Sequence, residues 1–330
     1  MADAVLGLST SDGIAAEYMR TEFMDKTAMY NAETRDFRTE LCTNTVKDVV
    51  NQSQRSVRFK KLGSDSSTPD FQHQDGINIT IPDAERYGTT VGMTTARWQK
   101  EHPSSGKLRQ NHQEALAADR RFSTQLVLKE LLTDGGWYDG AMTTAPPPYA
   151  MNTFTTATDH YLAANVGGVP AYSHFTESKR TIQQHGFGMD ANDGTRLVAF
   201  INGAQGEELE NVADWVDSTN NRMDTELLEV LQRIGLTPSF MVAGIAVVKN
   251  DWIPDGYMTV FDPGEKICRW RITDNPVTEN LIIDMSEDNV QYHGLGTYVR
   301  WGATKIVMRG AGVSYYLDGA SWTDSTGWEV

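Results

Sequence analysis

Few residues of this chain are spaced for covalent chemistry. Asp159-His160 offers two adjacent metal-type ligands, but no second pair stands at helical spacing from them, and the seven histidines are dispersed. His160 therefore reads as a surface or hydrogen-bonded histidine. Gly294-Leu295-Gly296-Thr297-Tyr298-Val299 begins like a dinucleotide loop, yet it lacks the third glycine and the following helix, so the spacing predicts a turn. Asp284, Glu287, Asp288 and Asn289 gather acids without the glycine and spacing of a calcium loop, and read as a solvated turn. Neither a G-x-S-x-G elbow nor a phosphate loop with its Lys occurs. A glycosidase-type mechanism needs two carboxylates within about 10 Å of each other, and nothing in the sequence selects which two. No catalytic, cofactor-binding or metal-ligating residue is assigned, and no cofactor.

The composition narrows the class. The chain has 330 residues and a formal net charge of −15, which argues against an outward-facing DNA-binding surface. Eight Trp and a moderate apolar content mark a folded chain, in one large domain or two. Cys42 and Cys268 read as two reduced thiols, although they are able to pair. The start, MADAVLGLSTSDG, carries no signal-peptide pattern. The longest apolar run, from Phe240 to Val248, is too short for a bilayer, so no membrane partner is expected.

Residues 107–133 dominate what would position any site. They contain no Gly or Pro and are rich in strong helix formers. Ser104 and Ser105 are N-cap candidates, and Gly135-Gly136 closes the far end. At 1.5 Å per residue such a helix is roughly 40 Å long. Its apolar residues thicken toward the C-terminal end, so that end is expected to be buried and the polar first half to lie over a surface or a partner. Lys107, Arg109, Arg120 and Arg121 form a basic stripe, read as a solvated face rather than a polyanion contact.

The flanking segments differ in texture. Residues 1–50 show no long amphipathic face and read as an arm held by a neighbouring copy. In 51–98, Val57–Lys60 and Ile77–Ile81 alternate around a turn-rich centre, which predicts a long hairpin needing support from another subunit. Deleting residues 56–90 is expected to leave a folded subunit. Beyond 171 the pattern predicts helices over 173–185, 207–216 and 224–234. Buried strands are predicted over 196–201, 240–248 and 257–261, and one long strand or strand pair over 297–317.

This order resembles the HK97-like fold of tailed-phage major capsid proteins, an α+β architecture. Leu197–Asn202 followed by Glu207–Trp215 resembles the family's strand and acidic helix in its axial domain. Ile245–Val248 with Ile253-Pro254-Asp255-Gly256-Tyr257 resembles its strand, proline turn and strand. Tyr298–Met308, containing Arg300-Trp301-Gly302, resembles its terminal strand. The resemblance implies an N-terminal arm at 1–50, a projecting E-loop at 51–98, and the spine helix with the start of a peripheral domain at 99–165. It implies an axial domain at 166–288 and a return to the peripheral domain at 289–330. It implies a non-enzymatic shell subunit that forms pentamers and hexamers around double-stranded DNA in a virion assembled in the host cytoplasm. Partners would be copies of itself, a portal, a decoration protein and the packaged DNA. The short leading segment implies a separate scaffolding protein, or none, and no cleavage. One branch of the family cross-links a loop lysine to a neighbour's asparagine. Here Lys60 and Lys61 lie near the loop base and no asparagine or glutamate matches, so no cross-link is implied. The competing classes are a carboxylate-pair hydrolase and an all-β tail-tube or decoration protein.

Overall fold

The computed structural model describes residues 8–33, 36–52, 77–94, 98, 100–189, 196–210, 216–217, 229, 231–232, 236–273, 279–284 and 292–329. The expected strand at 57–60 with Lys60 and Lys61, the acidic turn at 285–289 and most of the expected 224–234 helix lie outside them.

The helices are α1 (Ala16–Glu33), α2 (Phe37–Leu41), α3 (Ser105–Leu131), α4 (Tyr172–Gln184) and α5 (Gly203–Leu209). The long helix α3 begins where its capping residues dictate: the Ser104 hydroxyl accepts from the Lys107 amide at 3.3 Å. It ends at Leu131, and Gly135 follows with φ 85°. Its buried positions, Leu108, His112, Ala115, Asp119, Ser123, Val127 and Leu131, recur at three- and four-residue spacing along the entire length. The first half is therefore not a free surface. It is roofed by α1, whose Ala16, Met19, Phe23 and Thr27 make the matching stripe. The expectation of an arm held by a neighbouring copy changes for 16–33: this segment lies on the chain's own long helix. Its signal was thin because three apolar residues, Tyr18, Met24 and Met29, sit on the outward face and blur the periodicity.

Two cores result, and α3 joins them. One holds Met19, Phe23, Val91, Trp98, Leu108, Ala115, Leu281 and Tyr298. The larger holds the C-terminal end of α3 with Trp137, Phe175, Phe200, Phe261, Trp270 and Val313.

Two main sheets pack there. The first centres on β13 (Tyr292–Ile306), paired antiparallel with β4 (Glu85–Thr94), β12 (Ile282–Asp284) and β11 (Cys268–Arg271). β11 in turn carries β1 (Cys42–Thr45) in parallel. The second is mixed: β5 (Tyr161–Ala163), β14 (Gly312–Tyr316), β10 (Tyr257–Phe261), β6 (Val198–Ile201), β9 (Ile245–Lys249), β8 (Phe240–Val242) and β7 (Val216–Asp217), in that order. β2 (Val49–Gln52) and β3 (Ile77–Thr80) form a separate two-stranded sheet.

Four sequence expectations change. The single strand over 240–248 is two strands, because Ala243 (φ 53°) and Gly244 (φ 80°) make a two-residue turn with both φ positive. Gly294 and Gly296 sit in a bulge inside β13, where Gly296 has φ 135°, rather than in a turn. The helix expected over 207–216 is Gly203–Leu209, N-capped by Asn202, whose side chain accepts from the Ala204 amide. Finally, the 56–90 deletion would remove all of β3 and six of the ten residues of β4, which pairs with β13 from Glu85 onward, so it would gut the first sheet.

Candidate functional site

No cluster of three or more His, Cys, Asp or Glu side chains able to hold a metal occurs among the described residues. Asp159 and His160 do not converge on a common point with other ligands. His160 is fully buried, its Nδ1 lies 2.7 Å from the Gly312 carbonyl, and it stacks edge-on to Tyr138 and His185. Burial pulls the imidazole of His160 down to about 4. Cys42 and Cys268 are neighbours in the β1–β11 register, both buried and both free thiols. Four surface cavities have no more than one carboxylate each in their walls, so none supplies the pair that a hydrolase would need.

What the elements do position is a set of polar clamps around α3. Asp119 faces Arg300 of β13 in a two-point ion pair, with Nη2 2.6 Å from Oδ2 and Nε closer still to Oδ1. Both side chains are 4% exposed. Burial alone would lower the Arg300 guanidinium, but the carboxylate more than offsets it and the net shift is upward. The Tyr30 hydroxyl of α1 donates to the same carboxylate at 2.9 Å. Two turns back along α3, His112 Nδ1 meets the Tyr298 hydroxyl at 2.5 Å while its ring stacks on Phe23 at 4.5 Å. Nearer its start, Arg109 holds both Glu22 carboxylate oxygens through Nε and Nη2, and the Asp12 carboxylate receives the Ser105 amide at the positive end of the helix. The sequence signal for these partners was available but unread. Asp119 and His112 fall on the buried stripe of α3, and Arg300 falls on the buried parity of an alternating strand.

The second assembly of interest is the base of the hairpin. β2 and β3 pair only with each other among the described residues. Their ladder runs one step further at the base, where the Ile81 amide donates to the Asp48 carbonyl at 2.8 Å. Arg271, 7% exposed, adds bonds to the Val46 carbonyl and the Asp48 carboxylate. Val46 and Val49 remain 40% and 48% exposed beside this base. Such a ribbon is marginal alone and gains its stability from what it lies on. Of the expected basic stripe, Arg109 is paired to Glu22, whereas Lys107, Arg120 and Arg121 are exposed. No described helix is long and apolar enough to cross a membrane.

No family model and no curated protein matches the sequence. Solved structures do match. A chain of Mycobacterium phage Patience is 17% identical, with 96% of this chain and 92% of that chain covered at a TM-score of 0.64. A capsid chain of cyanophage P-SCSP1u is 10% identical, covering 86% and 89%, with a TM-score of 0.55. A capsid chain of cyanophage A-1(L) is 12% identical, covering 95% and 98%, with a TM-score of 0.51. The fold is thus the α+β, HK97-like fold of phage capsid structures, shared end to end rather than over one module.

Proposed function

We propose that this chain is the major subunit of an icosahedral phage head, assembling as pentamers and hexamers around double-stranded DNA. The observation that carries this reading is the match along nearly the whole of both chains to phage capsid structures. The polar clamps tie α1, α3 and β13 into one stiff body that β4 joins through its ladder, and among the described residues the β2–β3 ribbon pairs with no other strand, leaving edges that a neighbouring copy would cover. The domain division follows the resemblance: a leading segment at 1–50, of which 16–33 lies on the spine helix, an E-loop at 51–98, spine helix and peripheral start at 99–165, axial domain at 166–288, and peripheral return at 289–330. The chain is not an enzyme in this reading. Its partners are copies of itself, a separate scaffolding protein, a portal and a decoration protein, in a virion assembled in the host cytoplasm.

The test is expression of the chain alone and with candidate scaffolding partners, followed by negative-stain microscopy. Closed shells or capsomers are expected. A monomer under all these conditions, or a hydrolytic activity lost with a single carboxylate, would overturn the assignment.

A further inference from the structure

The chain carries 44 acidic and 29 basic residues, so a surface recess with cations and no acid stands out. One exists between α4, the Ala243-Gly244 turn and the strand-like bend at Asn152. It measures about 430 Å³ and is walled by Asn152, Tyr172, Thr176, Lys179, Arg180 and Gln183, with Gln184 at its end. Each of these seven side chains carries an N–H or O–H donor, Ala243 completes the wall, and among the described residues no carboxylate lines the recess. The Lys179 ammonium donates to the Ala243 carbonyl at 3.3 Å, a neutral acceptor that leaves its charge uncompensated. Lys26, Arg109, Lys249, Arg271, Arg300 and Lys305 each have a carboxylate partner, whereas among the described residues Lys179 and Arg180 have none within 4 Å. The one acid on α4, Glu177, is turned to the Tyr315 hydroxyl at 2.8 Å.

We propose that this groove binds the phosphodiester backbone of nucleic acid. Lys and Arg supply the charge, and Tyr, Thr, Asn and Gln supply the neutral donors that phosphate oxygens accept. The recess is broad and its donors are not set in a two-point fork for a base edge, so binding is independent of sequence. It rests on the shell reading above only for the source of the ligand, the packaged genome. With two cations a single copy binds weakly, but many copies facing one polymer add their contacts.

The test uses the purified full-length chain and a fluorescent 30-base-pair duplex, followed by anisotropy between 50 and 200 mM salt. Two phosphate contacts predict a fall in affinity of about tenfold over that range. Lys179→Gln with Arg180→Gln should abolish most of this dependence, while Lys107→Gln with Arg121→Gln on α3 removes the same charge and should leave it. Matching thermal melts would show that all three proteins are folded. Inorganic phosphate at the same ionic strength should compete only weakly if the polymer is the ligand; full competition at low millimolar concentration would assign the groove to a free anion and overturn the proposal. Equal losses in both double variants would reduce the effect to net charge and overturn it as well. A groove variant that binds duplex normally but fails to form shells would make the groove a contact between copies, again against the proposal. Absence of shells from the wild type, with the duplex result intact, would instead count against the capsid reading alone.

Discussion

Asp119 and Arg300 sit where a charge is most costly to leave alone. Each is 4% exposed, and each is the other's compensation. Asp119→Ala is expected to destabilise the chain by about 3–5 kcal/mol, because it strands a buried guanidinium. The paired change Asp119→Leu with Arg300→Met should recover most of that loss. Urea denaturation of the single and double variants checks this; a single-variant cost under about 1 kcal/mol would show the pair to be solvated. The buried histidines make a second residue-scale expectation. Burial holds His160 and His112 at about 4 and His185 at about 3, all below the unfolded value near 6.5. The unfolded chain therefore binds more protons between pH 6.5 and 4, so stability is full above that window and falls as pH drops through it. His160 alone should account for a loss on the order of 2 kcal/mol at pH 5. A stability curve that is flat from pH 7 to 5 would contradict the buried, neutral cluster.

Elements differ in how far the sequence betrays them. The long helix was legible over 107–133 and stands at Ser105–Leu131, since an unbroken run of helix formers between a serine cap and a glycine pair leaves little choice. Helix α1 was not legible. Its inward stripe of Ala16, Met19, Phe23 and Thr27 is narrow, and Met24 and Met29 face outward and erase the contrast. The β8–β9 hairpin was hidden because its residues are apolar from Phe240 to Val248 without a polar break and Ala243 is no turn residue by type. That alanine is strained in its left-handed backbone, so Ala243→Asn, giving the favoured Asn-Gly turn, is expected to raise stability by about 0.5–1 kcal/mol. A lower melting temperature for that variant would contradict the turn geometry. The same scale sets the correct excision for the hairpin. Removing residues 53–76 and joining Gln52 to Ile77 through a short Asn-Gly link keeps the Val49–Thr80 pairing and all of β4. The product should melt within a few degrees of wild type yet form no closed shells; particles of normal size from it would remove the hairpin from the assembly mechanism.

At the scale of the molecule, one helix threads two cores. Its first half is clamped under α1 and its second half enters the packing of both sheets, so the two cores share a rigid spine about 40 Å long. Rigidity of that kind suits a subunit whose neighbours must meet it in a repeated geometry. The candidate site was largely invisible in the sequence for a physical reason. Assembly by many shallow contacts requires no residue of fixed type at fixed spacing, unlike a triad or a metal centre, so what could be read was order and length of elements. The surfaces that such contacts would use, the ribbon edges and the outward Tyr18, Met24 and Met29, carry meaning only once the body they project from is known. On the shell reading, the chain completes itself on copies of itself. Light scattering and electron microscopy of the purified full-length protein, taken across a hundredfold range of concentration, test it most directly. Capsomers or closed shells should dominate at the upper end, in one size class. A single species at the 36.7 kDa monomer mass throughout that range, with or without scaffolding partners, would contradict it.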